Sequence, residues 1–283
     1  MFKAALILQG GGLRGAFTSG VLDVFLENDI EFEYIVGVSA GALNATNYIS
    51  KQRGRSIHII SEYCDDKKFA SLTNLLRRHN YFNMEYLFKD LDLKGHNFDE
   101  KTFKNSNVRF YAVATGLNDG KPRYFEKSKN NFNECVIASM SLPLLSTPVE
   151  IDKKLYLDGG DSDPIPYLKA MDDGYNKIVI IETKEKEFRK AEDDKTSLLY
   201  KKRYYKYPKY LRKVLDYPML YNKTVSNIES LEEKGLIYVI RPLKKVIVSQ
   251  KEKDRNKIVD LYNQGKETAL RALDSLKEYL NGE

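Results

Sequence analysis

The chain has 283 residues, of which 42% are apolar and 30% charged, and a formal net charge of +6. Those values fit a globular α/β-sized protein, and the mildly basic balance favours anionic surfaces such as phospholipid head groups over acidic ones. Only two cysteines, Cys64 and Cys135, are present, which excludes a disulfide framework and points to two buried free thiols in a reducing compartment.

The first nine residues carry one lysine and a short apolar run at residues 4–8, too short for a signal sequence. No stretch reaches the length of a membrane span, so a cytoplasmic location is expected, with any membrane contact peripheral. Residues 3–9 read as a strand buried on both faces, because their apolar residues do not alternate. The turn Gly10-Gly11-Gly12-Leu13-Arg14-Gly15 follows. Residues 16–28 then place Phe17, Val21, Val24 and Phe25 at helical spacing. A second strand at 34–38 runs into Gly37-Val38-Ser39-Ala40-Gly41 and a helix over 40–50. Strand, helix, strand, helix with short turns predicts a parallel sheet covered by helices.

Residues 54–101 are mixed and polar, and are expected to form helices and loops capping one sheet edge. Strands are predicted at 108–115 and 123–125 about a turn at Asn118-Asp119-Gly120, and a helix at 133–140. A short strand at 154–157 ends in Asp158-Gly159-Gly160. A helix at 164–171 with Pro164 near its start, a parallel strand at 177–181 and a charged surface loop at 184–195 come next. Residues 199–213, from Leu199 to Lys213, hold seven basic residues, no acidic one and five tyrosines. A late strand is expected at 236–240, then a helix from about 253 to 280 with Gly265 as a candidate kink. No internal repeat or long linker divides the chain, and one domain is expected.

A Gly-x-Ser-x-Gly turn between strand and helix presents a serine hydroxyl at the top of a sheet, near a helix N-terminus that favours a developing alkoxide. The plainer reading of Ser39 is a helix cap. The Gly10–Gly15 turn has two readings. It contains Gly-x-Gly-x-x-Gly, the dinucleotide fingerprint, with Glu31 or Glu33 as the ribose-binding acid. It also suits an oxyanion hole of backbone N–H groups at Gly10, Gly11 and Gly12. Arg14 is a candidate substrate-binding residue facing a phosphate head group, or a plain surface arginine.

A serine needs a base. His58, His79 and His96 all lie in the polar 54–101 segment and read as surface or capping residues. Asp158, at a strand end where open α/β sheets bind ligands, is the leading carboxylate, with Asp152, Asp161 and Asp163 as rivals. Burial would raise its pKa into a useful range.

In order and spacing, the glycine turn, the Ser39 turn and Asp158-Gly159-Gly160 resemble the three motifs of patatin-like phospholipases. Residues 138–143 (Ala-Ser-Met-Ser-Leu-Pro) resemble that family's helix-and-proline segment, and Arg241-Pro242, Glu252-Lys253-Asp254 and Leu261-Tyr262-Asn263-Gln264-Gly265 a bacterial subgroup. The resemblance implies an α/β three-layer sandwich, a mostly parallel central sheet flanked by helices. It also implies a single domain over 1–283, with core motifs in about 3–183 and a helical extension in about 196–283. Ser39 would be the nucleophile and Asp158 its only partner, with the oxyanion held at the glycine turn. The substrate would be a fatty acyl ester of a lipid: phospholipid, lysophospholipid or acylglycerol. No cofactor, no metal and no nucleic acid is implied. One departure from the family is Asp163 before Pro164, where many members have asparagine.

Residues 199–213 suit an anionic membrane surface, nucleic acid, or a helix packing its tyrosines on the core. Nucleotide binding by the glycine turn and an inactive lipid-binding protein remain the alternatives to a hydrolase.

Overall fold

A computed structural model describes residues 1–282, without the side chains of Glu85, Phe88, Lys89, Asp92 and Leu93. Strand β1 (Phe2–Leu8) leads through the glycine turn into α1 (Gly15–Glu27), and β2 (Phe32–Val38) leads through Ser39 into α2 (Ala40–Ile49). Four helices follow: α3 (Arg55–Tyr63), α4 (Leu72–Arg78), α5 (Met84–Leu93) and α6 (Glu100–Asn105). Next come β3 (Arg109–Gly116), β4 (Pro122–Glu126), α7 (Phe132–Ser139), β5 (Val149–Ile151), β6 (Lys154–Asp158) and α8 (Tyr167–Asp172). The remainder is β7 (Ile178–Ile181), α9 (Asp194–Tyr204), α10 (Pro208–Leu215), α11 (Tyr217–Glu233), β8 (Tyr238–Ile240) and α12 (Arg255–Asn281).

The strands form one sheet in the order β5-β6-β3-β2-β1-β7-β8, with β4 also paired to β3. β3, β2, β1, β7 and β8 are mutually parallel, whereas β4 and β6 pair antiparallel with β3. The unbroken apolar runs have their reason here. Ala4, Leu6 and Leu8 of β1 face a core shared with α1, α2, α7 and α12, while Ala5 and Ile7 face a second core with α8 and α11. A parallel strand buried on both faces cannot alternate in polarity. The result is the three-layer α/β sandwich with a mostly parallel central sheet that the motifs imply.

β3 positions the site. Its residues Arg109 to Val113 pair with β2, ending at Val38↔Val113, and Ala114 to Gly116 pair with β6, starting at Asp158↔Ala114. β4 shares partners with both, Tyr111 to Val113 with β2 and Ala114 and Thr115 with β6. β2 and β6 therefore lie on the same edge of β3. They run toward each other and meet end to end, so Ser39 and Asp158 are neighbours.

Some boundaries differ from the sequence reading. The hairpin β5–β6 adds a strand beyond those predicted; its two-residue turn, Asp152-Lys153, has both residues at positive φ (50° and 59°). Helix α8 starts at Tyr167 because a residue before proline is held out of helical geometry, so Ile165 ahead of Pro166 blocks an earlier start. α12 runs unbroken through Gly265, from Arg255 to Asn281. A Cβ on Gly265 would stand 2.1 Å from the Phe17 carbonyl, and one on Gly20 2.1 Å from the Tyr262 carbonyl. The two glycines let α1 and α12 touch backbone to backbone.

Candidate active site

Ser39 sits between β2 and α2 with φ 55° and ψ −123°, a strained conformation for a residue with a side chain. Its surroundings enforce this. A Cβ on Gly37 would lie 2.7 Å from Ala42 Cα, and one on Gly41 2.3 Å from the Leu8 carbonyl. The Ser39 N–H donates to Ser139 Oγ (2.9 Å), which ties the turn to the end of α7.

The glycine turn lies directly alongside. A Cβ on Gly10 would meet Ser39 Cβ at 2.9 Å, one on Gly11 would meet Thr183 Oγ1 at 2.7 Å, and one on Gly12 (φ 58°) would meet the Gln250 carbonyl at 2.6 Å. Each glycine is thus pressed against a different segment. Leu13 donates its N–H to Gln250 O and Arg14 donates to Gly11 O, whereas the N–H groups of Gly11 and Gly12 donate to no backbone carbonyl among the described residues. Thr183 holds the turn from β7: its N–H donates to Gln9 Oε1 (2.6 Å) and its hydroxyl to Gly10 O (3.0 Å).

Asp158 ends β6 and is 4% exposed, against 6% for Ser39. Its N–H donates to Ser141 O (2.9 Å), and its Oδ1 accepts the Gly160 N–H (2.8 Å). Burial pushes the carboxyl up to about 6, against the opposing pull of the Ser39 hydroxyl and the Gly160 N–H. Ser39 is close enough to favour the carboxylate but not aligned as a full hydrogen bond, and Oδ2 is buried without a partner among the described residues. Catalytic pairs are commonly this loose before substrate arrives.

The rival carboxylates are engaged elsewhere. Asp152 is on the surface turn of the β5–β6 hairpin, paired with Lys129 (2.6 Å). Asp161 accepts from Tyr210 Oη (2.7 Å) and Asp163 from Tyr124 Oη (2.6 Å). The Asp163 carboxyl, where a family asparagine often stands, is likewise pushed up to about 6 by burial, opposed by Tyr124 and Lys213.

Two cavities meet at Ser39. One, of about 430 Å³, is walled by apolar side chains including Leu43, Ile60, Phe82, Leu87 and Met140. The other, of about 800 Å³, is lined by Gly10, Gly11, Arg14, Asp158, Lys190 and Tyr217 among others. Ser39, Leu142 and Gln250 border both. The His58 and His96 rings lie against each other, tilted by 41° with centroids 3.9 Å apart, His79 caps α4, and none of the three histidines lines either cavity. Arg14 is half-buried with its Nε unpartnered among the described residues, and burial lowers its pKa. Ser139 comes from the 138–143 segment that the resemblance singled out, whereas Thr183, Lys190, Tyr217 and Gln250 join the site without a signal in the sequence motifs.

The dinucleotide reading fails on topology. Glu31 and Glu33 flank the start of β2, the end opposite the glycine turn, and Glu31 pairs with Lys51 (2.6 Å). A ribose-binding acid must stand at the same sheet edge as the pyrophosphate turn. Among the described residues no group of histidine, cysteine and carboxylate side chains could hold a metal ion, and no helix is long and apolar enough to cross a membrane. Cys64 and Cys135 are buried free thiols.

The tyrosines of residues 199–213 divide. Tyr204 and Tyr210 are buried against Leu117 and Leu157, and Tyr204 Oη accepts the Leu144 N–H. Tyr205 is 66% exposed, beside Leu198 and Leu199 at 68% and 54%.

The sequence also matches known families and proteins. The family model of patatin-like phospholipases matches residues 6–171, more than half of the chain, and that of a domain of unknown function (DUF6363) matches residues 207–281. The uncharacterized protein YjjU of Escherichia coli is 32% identical over 191 residues, 64% of this chain and 52% of YjjU. Lysophospholipase nte1 of Aspergillus terreus is 30% identical over 180 residues, 60% of this chain and 11% of that protein. The chain therefore spans about half the length of the first relative and about a tenth of the second. Among solved structures, VipD from Legionella pneumophila aligns with 97% of this chain and 67% of its own, at TM-score 0.49 and 14% identity.

Proposed function

The chain belongs to the patatin-like phospholipase family, and from that membership we propose that it cleaves a fatty acyl ester of a lipid through a Ser39–Asp158 dyad. The observation that carries this reading is the end-to-end meeting of β2 and β6, which puts a strained serine against a buried carboxylate of raised pKa. Ser39 Oγ attacks the ester carbonyl and its proton passes to Asp158. The oxyanion forms beside the N–H groups of Gly11 and Gly12, which donate to no backbone carbonyl among the described residues, at the turn begun by Gly10. Collapse expels the alcohol, which takes the proton from Asp158 and leaves an acyl group on Ser39. Water then attacks with Asp158 as base, releasing the fatty acid. Arg14 faces the alcohol side, and the apolar cavity receives the acyl chain. A lysophospholipid, the substrate class in the name of the Aspergillus relative, fits one apolar and one polar cavity.

The test is hydrolysis of p-nitrophenyl acyl esters combined with fluorophosphonate labelling. Turnover should be lost in step with covalent attachment at Ser39; turnover that persists in fully labelled protein sinks the mechanism. The same activity separates this reading from an inactive lipid-binding protein.

Contact with an anionic lipid surface belongs to this reading, at α9. Leu198, Leu199 and Tyr205 project there among Lys201, Lys202, Arg203 and Lys206, and Leu199 and Lys201 border the polar cavity. Replacing Lys201, Lys202, Arg203 and Lys206 by glutamine should weaken sedimentation with anionic vesicles by up to about a thousandfold, at roughly 1 kcal/mol per basic residue. Unchanged sedimentation removes α9 as the docking element.

A further inference from the structure

The turn beside Ser39 is built from residues that cannot hold their own orientation. Packing demands glycine there: a Cβ on Gly10 would lie 2.9 Å from Ser39 Cβ, and one on Gly11 2.7 Å from Thr183 Oγ1. A peptide between two glycines is the least restrained in a chain, because neither flanking torsion meets a side chain. In a trans peptide the C=O and the N–H point in opposite directions. One orientation of the Gly10–Gly11 peptide aims the Gly11 N–H at the ester. The other aims the Gly10 carbonyl there, where it would repel an oxyanion.

Both oxygens of the turn are tied back. Gly11 O accepts the Arg14 N–H (3.3 Å), a bond made within the turn, which sets the direction of the Gly12 N–H. No backbone N–H among the described residues donates to Gly10 O; the Thr183 hydroxyl donates to it instead (3.0 Å). That hydroxyl also stands 3.2 Å from Gln9 Oε1, so Gly10 O is the nearer of its two acceptors. Thr183 is itself placed from β1 and α11. The parallel β1–β7 ladder runs to Leu8↔Ile181, and the Gln9 N–H extends it to Ile181 O. Beyond that point β1 turns away, and the Gln9 side chain supplies the next acceptor, with Oε1 taking the Thr183 N–H (2.6 Å). Since Oε1 must face that donor, Nε2 is left to donate to Tyr221 Oη on α11 (3.1 Å). Gln9, Thr183 and Tyr221 are all buried. Thr183 and Tyr221 lie outside residues 6–171, and Tyr221 falls in the segment matched by the domain of unknown function.

We propose that Thr183 is a positioning residue for ester hydrolysis: its hydroxyl turns the Gly10–Gly11 peptide so that the Gly11 N–H meets the oxyanion, and Tyr221 steadies Thr183 through Gln9. This role rests on the acyl-hydrolase reading of Ser39. It gives α11 a part in the chemistry that requires no contact with the reacting atoms. Acylation and deacylation both pass through an oxyanion, so a lost orientation slows both steps alike and leaves KM where it was. A merely structural role would not divide the effect in that way.

The experiment measures kcat and KM for p-nitrophenyl butyrate with wild type, Thr183→Val, Thr183→Ala, Thr183→Ser and Tyr221→Phe. Active sites are counted by end-point fluorophosphonate labelling, so a poorly folded fraction cancels. Thr183→Val and Thr183→Ala remove the hydroxyl with and without its volume, and either decides the matter if the other fails to fold. Each should lower kcat about tenfold to a hundredfold with KM moved less than about twofold, a smaller loss than the roughly 10²–10³-fold that follows removal of an oxyanion donor itself. Thr183→Ser keeps the hydroxyl and should stay within about threefold of wild type, and Tyr221→Phe should cost about threefold, the scale of one neutral hydrogen bond. Butyl trifluoromethyl ketone forms an oxyanion adduct as Ser39 Oγ adds to its carbonyl and the serine proton passes to Asp158. It should bind Thr183→Val more weakly by the factor by which kcat/KM falls. A loss expressed in KM, a Thr183→Ser as slow as Thr183→Val, or an unchanged ketone affinity overturns the positioning role and leaves the Ser39 reading intact. An unaffected Tyr221→Phe removes α11 from it. A wild type that neither cleaves the ester nor takes the label overturns the hydrolase reading, and the positioning role with it.

Discussion

Ser39→Ala should lower ester hydrolysis by about 10⁴-fold or more, the scale on which removing a nucleophile acts, and should abolish fluorophosphonate labelling. Other hydroxyls near the site are committed. Ser139 Oγ accepts the Ser39 N–H, and Ser141 Oγ donates to the Ile137 carbonyl (2.8 Å). Neither stands on a strained turn, and only Ser39 borders both cavities among the three. The fold should barely notice the change. Alanine and serine are similarly strained at φ 55°, and the Ser39 hydroxyl makes no fully aligned hydrogen bond that the change would remove. The thermal midpoint should stay within a few degrees while activity disappears. A variant retaining a tenth of wild-type turnover would remove Ser39 from the mechanism.

Asp158→Asn should cost about 10³–10⁴-fold in kcat, comparable to loss of another member of a catalytic set, yet it should make the protein more stable at neutral pH. The carboxyl lies at about 6 in the folded chain against an ordinary aspartate value of 3.8, burial being the main cause. The folded state thus holds this proton more tightly than the unfolded chain does. Ionisation costs stability: the penalty is absent below about pH 4, grows up to about pH 6 and is complete above it. A shift of roughly two pKa units corresponds to about 3 kcal/mol at most. Asparagine can still accept the Gly160 N–H through its amide oxygen while carrying no charge. Chemical denaturation should therefore find the variant more stable than wild type at pH 7 and equal to it near pH 4. Wild-type kcat/KM should rise about tenfold per pH unit up to about 6 and then level, because only the carboxylate accepts the serine proton. A rate flat from pH 4 to 7, or a variant no more stable at pH 7, contradicts Asp158 as a buried base.

The parts of this site that are legible in the sequence are those that constrain the backbone. A tight turn leaves no space for Cβ atoms, so Gly37, Gly41 and Gly10 to Gly12 mark Ser39 and the adjacent turn with glycines. Asp158 is marked in the same way by Gly159, whose Cβ would lie 2.1 Å from the Val113 carbonyl. The helices and central strands are legible because their apolar periods match their burial. Contacts made by a carbonyl or a long side chain leave no such trace. Gln250 acts through its backbone oxygen, and Lys190 sits in a charged stretch that looks like any surface loop. The 138–143 segment is marked by resemblance, but nothing in its residues says that the Ser139 hydroxyl holds the Ser39 N–H a hundred residues away. β5 is hidden because Asp152-Lys153 performs a turn usually given to Asn-Gly. Gly265 reads locally as flexibility when its cause is a distant helix, α1.

The shared edge of β3 has one more consequence. The separation between serine and carboxylate is gauged by a ladder of peptide hydrogen bonds, with Val113 and Ala114 as adjacent marks on a single ruler. Loops on either side can lengthen or vanish without altering that gauge. A one-residue slip of β6 cannot be absorbed: it would bring Leu157 to the mark now occupied by Asp158 and turn every β6 side chain to the opposite face. Variation in this architecture is accordingly free in its outer segments and bound to integer register along one strand.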